Sequence, residues 1–163
     1  MSNSSPRPPS RIHVTWVGAH RFDAGRPGGP TLRVDGSGET AQSPVDALLT
    51  ALAACSAADV VDILAKRRTP VERLEMDVVG ERVSTVPRRF RHVLLEFRVD
   101  GAGIERTHAE RAVELAVTKY CSVRASLAPD LVIEWTLTLN GERGAVIGEA
   151  ARDHPAEPQP ATG

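Results

Sequence analysis

Aromatic residues are scarce in this chain of 163 residues, with three Phe, two Trp and one Tyr. That argues against a surface built to stack single-stranded nucleic acid. An excess of either charge is also missing, with 20 Lys and Arg set against 21 Asp and Glu. No large field therefore points to DNA, RNA or an anionic membrane. Cysteine occurs only twice, at Cys55 and Cys121, too far apart for a CxxC-type metal or thioredoxin motif. The histidines (His13, His20, His92, His108 and His154) show no ligand spacing with either cysteine, so no metal site is expected. Gly25, Gly28 and Gly29 do not precede a helix, so no phosphate-cradling loop and no nucleotide cofactor are expected. No uninterrupted apolar run reaches the roughly 18 residues that span a bilayer. The segment Met1 to Ser10 is rich in Ser and Pro and lacks the apolar centre of a secretory signal. The expectation is a soluble cytoplasmic protein, in which two cysteines are thiols rather than a standing disulfide.

What is present suits one packed domain. Hydrophobic residues make up 41% of the chain, enough for a core. Residues 1–10 read as a disordered extension, 11–147 as the domain, and 148–163, with Pro155, Pro158 and Pro160, as a disordered tail. Ile12, Val14 and Trp16 alternate as a strand; Thr31 to Val34 is a second. Ser43-Pro44 supplies an N-cap and a first-turn proline, and the Ala/Leu/Val-rich run from Val45 to Leu64 predicts a long helix. Lys66, Arg67 and Arg68 suit its negative end. Two alternating strands follow, through Leu74–Val78 and Val93–Val99, joined across Arg82 to Arg89. Thr107 and Glu110 have capping-box spacing ahead of a second helix. A short helix over Ser122–Leu127 and a last strand over Leu131–Leu139 complete the order.

That order predicts an α+β fold with antiparallel sheet packed on helices. The long helix has almost no polar face, and a helix apolar all round is a buried one. One thin sheet does not cover it. A second copy of the chain is the expected remainder, giving an intimate homodimer.

The run Ser43-Pro44-Val45-Asp46-Ala47-Leu48-Leu49, continuing through Ala51-Leu52-Ala53-Ala54-Cys55-Ser56-Ala57-Ala58-Asp59-Val60-Val61, resembles the central-helix signature of the OsmC/Ohr family. The family takes its name from osmotically inducible protein C and the organic hydroperoxide resistance proteins. Lys119-Tyr120-Cys121-Ser122-Val123 is similar to its second signature, a cysteine at the start of a short helix. The resemblance spans about residues 12–140 and implies antiparallel sheets around a buried central helix in an intertwined homodimer. It also implies a thiol peroxidase for organic hydroperoxides, in which Cys55 attacks, Cys121 resolves through a disulfide and a dithiol restores both. The supporting arginine would come from the N-terminal hairpin, where Gly25-Arg26-Pro27-Gly28 makes Arg26 the first choice and Arg21 the second. The carboxylate that orients it has Val45 at its usual place, leaving Asp46 or Glu39.

The residues put their own conditions on that chemistry. A free thiol titrates near ~8.5, so an attacking cysteine needs a cation nearby. Cys55 sits mid-helix, beyond the reach of the N-terminal dipole. At about 100° per residue Asp46 falls on the face opposite Cys55, whereas Asp59 and Asp62 share its face. A carboxylate there opposes ionisation of the thiol unless it is neutralised. Arg88, Arg89 and Arg91 read as a solvated loop, and His13 and His108 have no triad-like partner. The alternative is a non-enzymatic dimeric protein of the same fold that binds a small apolar ligand, or a redox sensor.

Overall fold

A computed structural model describes residues 8–148. The proposed disordered tail beyond 148, and residues 1–7 of the proposed extension, lie outside that range. The described residues divide into two compact units, before and after the boundary between Leu48 and Leu49.

The first unit is a three-stranded antiparallel sheet: β1 (His13–Trp16), β2 (Arg21–Gly25) and β3 (Thr31–Asp35), in that order. Register pairs Trp16 with Phe22, Val14 with Ala24, Phe22 with Val34 and Ala24 with Leu32. The alternating side chains of a strand place these residues on one apolar face. The other face carries His13, Thr15, Arg21, Asp23, Arg33 and Asp35. Arg33 holds Asp23 across the strands through two hydrogen bonds of 2.7 and 2.8 Å. The strand β2 is an addition to the pattern read from the sequence. The turn after it needs Gly28 at φ 74°, and a side chain on Gly25 would strike the Pro30 carbonyl.

Asp35 closes the unit. Its carboxylate is buried and accepts from the backbone N–H and hydroxyl of both Ser37 (2.9 and 2.7 Å) and Thr40 (3.0 and 2.6 Å). Hydrogen bonds to the charged form hold its carboxyl well below the usual carboxylate range, those from the Thr40 and Ser37 hydroxyls contributing most.

The helix α1 (Pro44–Lys66) starts where the sequence placed it. Asp46 Oδ2 accepts from the Ser43 hydroxyl at 2.7 Å and from its N–H at 3.1 Å, while the Asp46 N–H donates to Ser43 Oγ at 3.2 Å. This reciprocal cap satisfies donors that a helix start leaves open. Along its length Leu52, Ser56, Val60 and Leu64 form one buried stripe at four-residue spacing. Of its other apolar residues Val45, Leu49 and Ile63 are half-buried, and Leu48 and Val61 are exposed. Among the described residues α1 is the one helix long and apolar enough to cross a membrane by length and composition.

The second unit is built on a five-stranded sheet. β4 (Arg73–Arg82) pairs antiparallel with β5 (Phe90–Asp100), and β5 pairs with β6 (Val132–Leu139). β7 (Glu142–Arg143) and β8 (Ile147–Gly148) both add to β6. The core face holds Val93, Leu95, Phe97 and Val99 of β5 beside Ile133, Trp135, Leu137 and Leu139 of β6, all buried. The opposite face is laced by ion pairs such as Arg98 with Asp77 at 2.6 Å and Arg143 with Glu96 at 2.8 Å.

Two further details differ from the pattern read from the sequence. β5 and β6 run parallel, because the helices between them, α2 (Arg106–Leu115) and α3 (Ser122–Ala125), return the chain in a crossover rather than a hairpin. The capping box at Thr107 and Glu110 does not form. α2 begins two residues earlier, with Glu105 as its N-cap and no side-chain cap, and Glu110 pairs instead with Arg106 at 3.4 Å.

Candidate thiol site

Between α2 and α3 the chain makes a π-helical turn over Ala116–Tyr120. Its last bond runs from the Cys121 N–H to the Ala116 carbonyl, 2.9 Å. Such widened turns occur mostly as single insertions in helices, frequently at functional sites. Here the turn ends on Cys121, which is the N-cap of α3 and accepts from the Arg124 N–H at 3.3 Å. Arg124 is buried, and its guanidinium donates to the Leu131 carbonyl at 3.1 Å and the Ala128 carbonyl at 3.4 Å. That ties the cysteine's helix to the start of β6.

Cys55, distant in sequence, lies near enough to Cys121 to bear on its ionisation. Both are free thiols. Cys121 is buried and Cys55 is partly exposed, so a small molecule arriving from solvent reaches Cys55 first. Burial pushes the Cys121 thiol above its ordinary value, and Ser56 and the Arg124 N–H oppose that rise. Cys55 adds to it, because the Cys121 S–H donates toward the Cys55 sulfur and a charge on one sulfur opposes a charge on the other. At neutral pH Cys121 therefore keeps its proton.

Ser56 was not singled out from the sequence. It is completely buried, and its hydroxyl finds no partner that meets full hydrogen-bond geometry. It nevertheless lies close enough to the Cys121 sulfur to favour the ionised form. The only sequence signal was its position next to Cys55 on the apolar helix.

One turn beyond Cys55, Asp59 has its carboxyl raised by burial, and by Asp62 beside it, with Lys66 acting in the opposite direction. Its Oδ2 is buried without a hydrogen-bond partner. Asp59, Asp62, Lys66, Arg67, Leu115 and Tyr120 line an open cleft of about 340 Å³.

The remaining candidates belong to the first unit. Arg26 is exposed in the turn after β2, where its carbonyl accepts from the Gly29 N–H at 2.9 Å. Arg21 is partly buried, and its Nε is buried without a partner. Asp46 engages Ser43 in the helix cap, and Glu39 is exposed in the loop after Asp35. Among the described residues no cluster of three or more His, Cys, Asp or Glu could hold a metal ion.

The family model for OsmC-like proteins matches residues 36–136, a span that contains α1, the π turn and both cysteines. The chain belongs to the OsmC-like family. Protein YhfA of Escherichia coli (strain K12) is 40% identical to this OsmC-like protein over 118 residues, 72% of this chain and 88% of that protein. Among solved structures, the OsmC-like protein from Mycoplasma pneumoniae superposes with a TM-score of 0.69 at 20% identity, covering 79% of this chain and 95% of that one. The organic hydroperoxide resistance protein OhrB of Bacillus subtilis does so with a TM-score of 0.53 at 16% identity, covering 80% and 98%. At these identities the two structures speak to the fold. They support the mixed α+β architecture expected from the sequence.

Proposed function

We propose that this OsmC-like protein is a cytoplasmic thiol peroxidase that reduces organic hydroperoxides as part of oxidative-stress defence. The observation that carries the reading is the convergence of a partly exposed thiol, Cys55, with a buried, proton-holding thiol, Cys121. The Cys55 thiolate attacks the terminal peroxide oxygen. An S–O bond forms, the O–O bond breaks, and the alkoxide leaves and takes a proton to become an alcohol. Cys55 is then a sulfenic acid. Cys121, as thiolate, attacks that sulfur. The S–S bond forms, and hydroxide leaves and is protonated to water. A dithiol reductant opens the disulfide by exchange and is itself oxidised to a disulfide.

Arg26 or Arg21 stabilises the Cys55 thiolate in this reading, and Asp46 or Glu39 orients that arginine. The protein works as a homodimer. The apolar face of the three-stranded sheet and the exposed side of α1 both support a second copy as their cover, because apolar surface of that extent is rarely left to water. No metal, nucleotide or other cofactor enters the chemistry.

The test is consumption of cumene hydroperoxide and of hydrogen peroxide by the reduced protein with a dithiol supplied. Preference for the organic peroxide, lost in Cys55→Ser and reduced to a single turnover in Cys121→Ser, is the expected result. A second reading, a redox sensor, rests on the same thiol pair. It predicts one oxidation per chain and no turnover with any dithiol.

A further inference from the structure

We propose that Ser56 is the group that makes Cys121 competent to resolve: its buried hydroxyl stands ready to donate to the Cys121 sulfur as that sulfur becomes a thiolate. The inference deepens the peroxidase reading and rests on it. A resolving cysteine kept protonated by burial attacks slowly, since only the thiolate is nucleophilic. It needs donors that act on the charged form and are already in place.

Among the described residues, two such donors stand near Cys121. One is the Arg124 N–H at 3.3 Å. The other is Ser56, whose oxygen is fully buried and unsatisfied while Cys121 carries its proton. A buried polar group without a partner is costly to the fold. Ionisation of Cys121 removes that cost, because the hydroxyl gains a charged acceptor and makes the stronger kind of hydrogen bond. Both donors act after Cys55 has reacted. Before Cys55 is oxidised, the Cys121 S–H donates toward the Cys55 sulfur. Once Cys55 is a sulfenic acid, that charge is gone, and Ser56 and the Arg124 N–H are left to hold the Cys121 thiolate for attack. Position adds to the argument. Ser56 follows Cys55 directly on α1, so the helix that presents the attacking sulfur also presents the donor for the resolving one.

The experiment titrates Cys121 alone. Thiolate absorbance against pH is recorded for Cys55→Ala and for Cys55→Ala with Ser56→Ala. Loss of the hydroxyl should raise the Cys121 pKa by about one unit, a roughly tenfold fall in thiolate at a given pH. Ser56→Thr, which keeps the hydroxyl, should restore the titration. Thermal melting of the reduced Ser56→Ala protein should occur at or above the temperature of the parent, since a buried hydroxyl without a partner has been removed. In a second arm Cys55 is left in place, one equivalent of cumene hydroperoxide is added, and sulfenic acid is trapped with dimedone. Ser56→Ala should accumulate about tenfold more trapped Cys55, with the difference closing at high pH. An unchanged or lowered Cys121 pKa overturns the proposal. A raised pKa with no sulfenic acid in either protein keeps the role of Ser56 and rejects the peroxidase reading instead.

Discussion

In the five-stranded sheet Val93, Leu95, Phe97 and Val99 are completely buried, whereas in the three-stranded sheet Trp16 is 65% exposed and Leu32 49%. Both sheets alternate apolar and polar residues along their strands, and both seal their polar faces with Arg–Asp pairs. They differ in what lies over the apolar side. β5 and β6 carry a crossover of helices that covers them. The apolar face of the three-stranded sheet, with Trp16 and Leu32, stays open to solvent. A strand pattern thus tells which face is apolar and says nothing about whether the same chain supplies the cover.

The largest effect expected from testing this contrast is in the covered sheet. Phe97→Ala deletes a fully buried ring and should cost about 3–5 kcal/mol of unfolding free energy in urea denaturation. A loss under ~1 kcal/mol would mean the core is not where β5 places it. Trp16→Asp probes the uncovered sheet. If a second copy lies on it, the molar mass by light scattering at micromolar concentration should fall from that of a pair toward that of one chain. Equal masses for parent and substituted protein would leave this face as solvent surface. The smallest effect concerns Asp35. Its folded-state carboxyl titrates below the unfolded one. Its contribution is therefore complete above the unfolded value of about 3.9 and fades as pH falls through the folded value. Acid should free the Ser37 and Thr40 amides to exchange with solvent before the β5 and β6 amides do, and Asp35→Asn should show the fast exchange already at neutral pH.

Much of the fold was legible because local chemistry and periodicity agreed. Ser43-Pro44 announced α1, and alternation announced β4, β5 and β6. β2 was missed because Arg-Phe-Asp-Ala-Gly has a single strong strand former, and its pairing with strands on both sides holds it extended. The parallel pairing of β5 with β6 depends on where the crossover returns, which no window of sequence contains. The cysteines were visible as residues, and their proximity was expected only through the resemblance. Ser56 and Asp35 could not be found in this way. A serine among alanines and an aspartate in a glycine-rich loop are ordinary until burial shows what they face.

The π turn before Cys121 has a consequence for the timing of helix faces. An α-helix advances about 100° per residue, so a segment's apolar stripe fixes the bearing of everything after it. The widened turn absorbs part of one residue's rotation, as a spacer resets the phase of a screw thread. The stripe of α2 stays turned toward the core while Cys121 is delivered on a different bearing, beside Ser56 and Cys55. Deleting one residue within Ala116–Tyr120 would restore the regular pitch at little cost to helicity and swing the thiol away from its partners.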